Sequence, residues 1–156
     1  MAGGPSLIQL SGQMAELLKA VSEMQREIAL TKARMNNRLV MMSTRMRGIL
    51  LPLPDVMGGY PATGVFPATM QEFISMNTAQ YFRPGMEGYE DYAAKANDRL
   101  DKLVAFYEID PAAAPPRRFS SDGPSEWESK YDAVLCFIIG DPQLAPAVDD
   151  PADDVE

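Results

Sequence analysis

Apolar residues recur at alternating steps of three and four residues between positions 7 and 28 of the chain. This spacing is the heptad pattern of a coiled-coil helix, in which the a and d positions are apolar. Ser6 and Gln9 form an S-x-x-Q capping box directly before it, and no proline follows until Pro52. The pattern therefore predicts an amphipathic helix that packs along a partner helix. We call its apolar residues the N-terminal stripe: Leu7, Leu10, Met14, Leu17, Val21, Met24 and Ile28.

Beyond Ile28 the apolar spacing resumes in a shifted frame. Passing from Met24 to Met35 requires steps of four, four and three residues, through Ile28 and Lys32. Such a stutter locally relaxes a left-handed supercoil. The second half of the helix is rich in methionine and basic residues, and we predict that it packs on a different surface. Its apolar residues form the C-terminal stripe: Met35, Leu39, Met42, Met46 and Ile49.

The residue types in the N-terminal stripe favour self-association as a parallel dimer. Val21 and Ile28 occupy a positions and Leu10 and Leu17 occupy d positions, a combination typical of parallel two-stranded coiled coils. Glu27 at g and Lys32 at the following e position would face each other across such a dimer. We therefore predict a homo-oligomer or a pairing with another partner helix. The alternative is that the stripe folds back on the C-terminal helices of the same chain.

The rest of the chain predicts a small three-helix module, so the fold class is mainly α. Capping boxes at Thr69–Glu72 and Ser125–Glu128 mark two helix starts, and apolar residues at helical spacing from Tyr89 to Tyr107 mark the helix between them. The predicted organisation is a disordered segment 1–5, a coiled-coil helix 6–50, an ordered Pro/Gly-rich loop 51–68, a helical module 69–140 with a mobile loop 110–124, and an acidic disordered tail 141–156.

The loop 51–68 contains too many apolar side chains for a free linker. We expect it to lie over the helical core, because exposed apolar anchors of this density would otherwise remain in water. The expected anchors are Leu51, Leu53, Val56, Tyr60, Val65 and Phe66.

Composition argues against an enzyme. The chain has no histidine, which removes the usual general base and the commonest metal ligand. Cys136 is the only cysteine and lies in an apolar run, as small core residues do. We predict no catalytic, cofactor-binding or metal-binding residues and no cofactor. The longest apolar run is too short to span a bilayer, so we expect an intracellular protein, cytoplasmic or nuclear, without membrane contact.

Charge is divided unevenly along the chain. Residues 1–50 carry a net charge of +4 and residues 51–156 one of −12. Arg34, Arg38 and Arg45 form a basic face on the predicted helix. This face could contact nucleic acid phosphates, although docking on the acidic half of the chain or solvation is favoured. Arg117-Arg118-Phe119-Ser120 fits a basophilic kinase consensus, which makes Ser120 a candidate phosphorylation site.

The order of several short motifs resembles a known family. The heptad helix contains Asn36-Asn37-Arg38, and Leu51-Pro52-Leu53-Pro54, Gly58-Gly59 and Phe66-Pro67-Ala68-Thr69 follow it. Over residues 30–140 the chain resembles uncharacterised fungal coiled-coil proteins, abundant in mushroom-forming species. Their shared C-terminal domain is named after a meiotically up-regulated fission-yeast protein. The resemblance implies a fungal origin, and it brings no biochemical activity to the chain.

Overall fold

The computed structural model is mainly helical, and this confirms the predicted fold class. It describes residue 4 and residues 6–43, 47–78, 87–113 and 125–140. The predicted tail 141–156, most of the loop 110–124 and most of segment 1–5 lie outside these residues. A 3₁₀ turn covers Pro111–Ala113. The α-helices are α1 (Leu7–Met42), α2 (Met70–Thr78), α3 (Tyr89–Phe106) and α4 (Glu126–Ile139).

Helix α1 begins where the sequence predicts and ends earlier. The Ser6 hydroxyl accepts from the Gln9 N–H at 3.2 Å, and the Gln9 side chain accepts from the Ser6 N–H at 3.0 Å, which confirms the capping box. The helix ends at Met42, however, so the predicted span 6–50 is too long. The reason is pairing with a distant segment, because residues 48–50 form backbone hydrogen bonds with residues 68–70 around an antiparallel bridge.

Helix α4 lies at the centre of the module. It contacts α1, α2, α3 and the 3₁₀ turn, and for this reason it is buried on more than one face. The Tyr131 ring stacks on Phe73 of α2 with centroids 4.6 Å apart. The Ser125–Glu128 capping box predicted at its start is present. The core of the module is therefore built around α4, and its fully buried residues include Phe73, Leu53, Leu100, Leu103, Val134, Leu135, Ile138 and Ile139.

The capping interaction at the start of α2 differs from the predicted box in one contact. The Glu72 N–H donates to the Thr69 hydroxyl at 3.2 Å as expected, but the Glu72 carboxylate accepts from the Ala68 N–H at 2.8 Å instead of from Thr69. The same carboxylate pairs with Arg99 of α3 at 2.7 Å. Glu72 therefore closes the N-terminus of α2 and joins it to α3.

The loop 51–68 is anchored by fewer side chains than predicted. Leu53 is fully buried and Val65 and Phe66 pack partly against the core, whereas Leu51, Val56 and Tyr60 are exposed. The cause is a local turn: the Asp55 carboxylate accepts from the N–H groups of Met57 and Gly59 at 2.9 and 2.7 Å. The hydrogen bonds of this turn lie within the turn itself and do not draw it onto the core, so the side chains of Val56 and Tyr60 remain exposed to solvent.

Candidate interaction surface on helix α1

The second half of α1 is fixed to the module by a buried amide. Asn37 is fully buried, and its Nδ2 donates to the Leu51 carbonyl at 2.9 Å while its Oδ1 accepts from the Leu51 N–H at 2.8 Å. The side chain therefore pairs with both backbone groups of one residue, as a neighbouring strand would. The residue after Leu51 is Pro52, which has no N–H and cannot donate a backbone hydrogen bond, so the contacts of this stretch fall on Leu51. This clamp sets where the loop leaves α1.

Two arginines next to Asn37 hold the end of α4. Arg34 Nε donates to the Phe137 carbonyl at 3.1 Å, and its guanidinium carbon lies 5.1 Å from the centre of the Phe137 ring. Arg38 Nε donates to the Ile139 carbonyl. Carbonyls in the last turn of a helix lack partners within the helix and carry its partial negative charge. Burial lowers the pKa of Arg34, and the neighbouring charge of Arg38 lowers it further.

A glycine makes this approach of the arginines to α4 feasible. Gly140 ends α4 in the left-handed region at φ +66°, where a side chain is strained. A Cβ at this position would lie 2.8 Å from Arg34 Cδ and 3.2 Å from an Nη atom of Arg38. The sequence pair Ile139-Gly140 therefore serves both the helix end and the contact with α1.

A second clamp holds the next non-proline residue of the loop. The Tyr107 hydroxyl donates to the Leu53 carbonyl at 2.8 Å and accepts from the Leu53 N–H at 3.3 Å. Burial raises the pKa of this hydroxyl, so it stays protonated and able to donate at physiological pH. Leu51 and Leu53 of the Leu-Pro-Leu-Pro motif are thus each held by one side chain, Asn37 and Tyr107.

The first half of α1 has none of these contacts. Every residue from 7 to 25 is exposed, and the first residue to reach the module is Arg26, whose Nε donates to the Asp55 carbonyl. At a rise of about 1.5 Å per residue, residues 7–25 extend roughly 28 Å from that point. This half of the helix therefore stands away from the module.

Both apolar stripes of α1 face solvent within the described chain. All seven residues of the N-terminal stripe are exposed, with side chains between 42% and 85% accessible. Met35, Leu39 and Met42 of the C-terminal stripe are exposed as well, and Ile49 lies beyond the end of the helix and is also exposed. Met46 lies outside the described residues. The alternative in which the stripe folds back on the module is therefore not what the structure adopts.

A different face of α1 packs against the module. The second half packs on the module, and the residues through which it does so are not those of the C-terminal stripe. Met35 and Leu39 each lie two residues from the buried Asn37, about 200° around the helix, so the two faces are nearly opposite. We call the buried set the core face, and its members are Leu30, Ala33, Asn37 and Met41.

The predicted basic face divides between buried and undescribed positions. Arg34 and Arg38 are half-buried and bonded to α4, as given above. Arg45 and the candidate phosphorylation site Ser120 lie outside the described residues. Lys32, by contrast, is exposed and lies between the two stripes, where Glu27, Ile28, Thr31 and Lys32 line a shallow open depression in the surface of α1.

The buried lysine of α4 has structural partners. Lys130 is buried, and its Nζ contacts Asn97 and Asp101 at 2.7 and 2.8 Å across the α3–α4 contact. Among the described residues, no group of three or more histidine, cysteine or acidic side chains is arranged to hold a metal ion. In the same part of the chain, no helix is long and apolar enough to cross a bilayer. The exposed stripes of α1 are therefore the leading candidate site.

Sequence reasoning found the stripes and missed the clamp. From the sequence, Asn36 and Asn37 stand out only as part of the motif Asn36-Asn37-Arg38, which predicts no structural role for either side chain. The available signal was the presence of two adjacent asparagines inside a helix, since asparagine competes with the helical backbone for hydrogen bonds and usually stands at caps and turns. In the structure Asn36 donates to the Ile49 carbonyl at 3.0 Å, two residues before Leu51, which Asn37 holds.

Comparisons with known proteins identify no relative of this chain. No family model, no curated protein and no solved structure matches the chain. The resemblance to the fungal coiled-coil proteins therefore stays a prediction.

Proposed function

We propose that this chain is a non-enzymatic interaction protein that self-associates through the N-terminal stripe of α1. The observation that carries the proposal is the exposure of all seven stripe residues, six of which lie within residues 7–25, where every residue is exposed. Contiguous apolar surface of this kind marks interaction sites on soluble proteins. The heptad spacing further specifies that the occupant is another helix.

Helix energetics support the same proposal. Residues 7–25 continue a helix that is already formed at residues 26–42, but they make no tertiary packing contacts, and such packing supplies most of the stability of helices in proteins. The N-terminal segment also contains Gly12, which weakens a helix interior by about 0.5–1 kcal/mol relative to alanine. A partner helix would offset both deficits, since burying one leucine, valine or methionine contributes roughly 1.5–3 kcal/mol. Pairing therefore explains why the sequence maintains a heptad pattern here.

Sedimentation equilibrium at micromolar concentrations tests the proposal. The wild-type chain is expected to sediment as a dimer, and Leu17→Asp is expected to shift it to monomer because each dimer would bury two carboxylates in an apolar seam. Met57→Asp is the matched control, since Met57 is an exposed apolar residue in the loop and lies on neither stripe. A wild-type monomer at tens of micromolar would exclude self-association.

The weaker proposal is contact with nucleic acid through the basic face. It is weaker because the Nε atoms of Arg34 and Arg38 are already bonded to carbonyls of α4. Titration of the chain with DNA and RNA at low salt would test it, with Arg38→Glu as the variant. Binding that is absent, or unchanged in that variant, would discard it.

A further inference from the structure

We infer that the pairing surface continues across the stutter to Met42, and that its occupant is a second copy of this chain, parallel and in register. The inference rests on the proposed self-association and extends it in two ways. It adds the C-terminal stripe to the interface, and it fixes the register of the parallel pair that the heptad residues predict.

The two-faced second half of α1 makes the longer interface feasible. The core face holds the module on one side, and Met35, Leu39 and Met42 lie exposed on nearly the opposite side. Two helices could therefore meet along the whole of both stripes while each keeps its own module. The modules would lie on the outer sides of the helix pair, clear of each other. Nothing in the fold of one chain needs to open for this pairing.

The stutter indicates which helix fits. A step of four, four and three residues around Lys32 changes the local supercoil, and a partner must carry the same change at the same level to keep its side chains interdigitated. A second copy aligned in parallel meets this requirement at every layer. An unrelated heptad helix without the stutter would fall out of register with the stripe one to two turns beyond Ile28. It would then make no contact with Met35, Leu39 and Met42.

Charge complementarity at the same level favours the parallel alignment. Glu27 and Lys32 border the depression around Ile28, on opposite sides of the stripe. Glu27 at g and Lys32 at the following e position of the first frame face each other only when two copies run in parallel. Two symmetric Glu27–Lys32 pairs would then form across the interface, and Glu27, which already pairs with Arg26 of its own chain at 2.9 Å, would take Lys32 of the other chain as a second partner. In an antiparallel pair g positions face g positions and e positions face e positions, and neither contact forms.

The position of Lys32 adds a reason for a defined register. In the shifted frame Lys32 takes an a position between Ile28 and Met35. A single polar residue at a lowers the stability of a coiled coil but fixes its register and oligomeric state. Placing the two Lys32 side chains next to Glu27 of the other chain gives each ammonium group an acceptor. A shift of either chain by one heptad would place an ammonium group against apolar layers, so the in-register dimer is favoured.

The length of the interface is tested with Leu39→Asp. Leu39 is exposed, so the module should fold as in the wild type, which circular dichroism and the unfolding transition would verify. The dissociation constant is expected to rise at least about tenfold, because each dimer would bury two unpaired carboxylates. Met57→Asp again serves as the control. If Leu17→Asp weakens the dimer and Leu39→Asp does not, the interface stops at the stutter; self-association would stand and this inference would fall.

Orientation is tested by disulfide capture in the full chain with Cys136→Ser. In a parallel dimer Leu10→Cys faces its own copy at a d position, so mild oxidation should give a covalent dimer. In an antiparallel pair the two cysteines would lie more than about 40 Å apart, far beyond disulfide reach. No covalent dimer from Leu10→Cys, together with cross-linking between Leu10→Cys and Leu39→Cys chains, would overturn the parallel arrangement.

A charge reversal checks the contact at the stutter. Lys32→Glu would set one carboxylate opposite each Glu27 side chain in the parallel dimer, and we expect a dissociation constant about threefold to tenfold higher at low salt. Added salt should reduce the difference. Equal affinity for wild type and variant at low salt would show that Glu27 and Lys32 do not meet, and would remove the charge argument for a second copy in parallel.

Discussion

The two halves of α1 form one continuous helix, yet they are stabilised in different ways. Residues 26–42 have a core face buried against α4 and the loop, and polar side chains on this stretch bond to the backbone of distant segments. Residues 7–25 have no such contacts, and every one of them is exposed. The second half is therefore part of the fold of one chain. Within one chain the first half has only its capping box and its helix propensity, and the proposed partner helix would supply the packing that it lacks.

The difference teaches that apolar periodicity alone does not identify the core side of a helix. The regular stripe, which dominates the pattern, faces solvent along all of α1. The face that packs on the module is short and contains a small residue and an amide, Ala33 and Asn37, between Leu30 and Met41. A helix whose strongest apolar pattern faces away from its own core is a candidate for association between molecules.

The largest expected effect in the second half comes from Asn37→Ala. The substitution leaves the Leu51 N–H and carbonyl without partners at a part-buried contact. A buried polar group that loses its partner costs about 1–3 kcal/mol, so we expect the free energy of unfolding to fall by roughly 2–4 kcal/mol. Chemical denaturation, followed by the fluorescence of Trp127, would measure the loss in the module.

Asn36→Ala is the matched control for that experiment. Asn36 Nδ2 donates to the Ile49 carbonyl at an exposed contact, where water can replace it, and more distantly to Asn37 Oδ1 at 3.3 Å, where the Leu51 N–H remains as a donor, so we expect less than about 1 kcal/mol. Equal losses in the two variants, or no loss in Asn37→Ala, would mean that the second half is held by its apolar contacts alone. The contrast between the two halves would then need a different explanation.

A smaller effect of opposite sign is expected from Gly12→Ala in the first half. Gly12 has no atoms within 4 Å of a Cβ built on it, so alanine adds no clash. Alanine favours a helix interior by about 0.5–1 kcal/mol, and each dimer contains two copies. If residues 7–25 become helical mainly on pairing, the dissociation constant should fall about fivefold to thirtyfold.

The unfolding transition of the module provides the contrast for Gly12→Ala. The expected result is tighter association with an unchanged transition in the monomer, which analytical ultracentrifugation and denaturation of dilute protein would separate. A more stable monomeric module would show that residues 7–25 unfold together with it. In that case the two halves would form one cooperative unit, contrary to the comparison above.

Helix starts were predictable from the sequence because caps are local contacts. The boxes at Ser6 and Ser125 need only residues three positions apart, and both are present. The end of α1 was not predictable in this way. It is decided by the backbone pairing of residues 48–50 with residues 68–70, and no local spacing announces a contact across the whole loop.

The candidate site was predictable in position and not in extent. The N-terminal stripe could be read directly, since its residues recur at heptad steps. Whether it faced solvent or the module depended on which face of α1 the rest of the chain would cover. That choice rests on the Asn37 clamp, which holds Leu51 at a sequence separation of 14, and on Arg34 and Arg38, which bond to carbonyls of α4 about a hundred positions away. Such contacts leave no periodic trace in the sequence.

The smallest expected effect is the pH dependence that Glu72 gives to the stability of the module, which should leave dimerisation through α1 unchanged. Burial alone would raise the pKa of the Glu72 carboxyl, but the Ala68 N–H and Arg99 outweigh it and hold the pKa below its usual value of 4.5. Because the folded state binds this proton less readily than the unfolded state, Glu72 adds stability above pH 4.5, and the contribution is lost as the pH falls through the folded pKa. Glu72 is 40% exposed, so solvent screening limits the contribution to about 0.5 kcal/mol. Stability curves of wild type and Glu72→Gln should therefore differ by a constant amount near neutral pH and converge in acid.

The dimer dissociation constant should be equal in the two proteins at neutral pH, since Glu72 lies on α2 and touches neither stripe of α1. A dissociation constant that changes with Glu72→Gln would show that the module and the pairing surface are coupled, and that the independence of the two halves of α1 is incomplete.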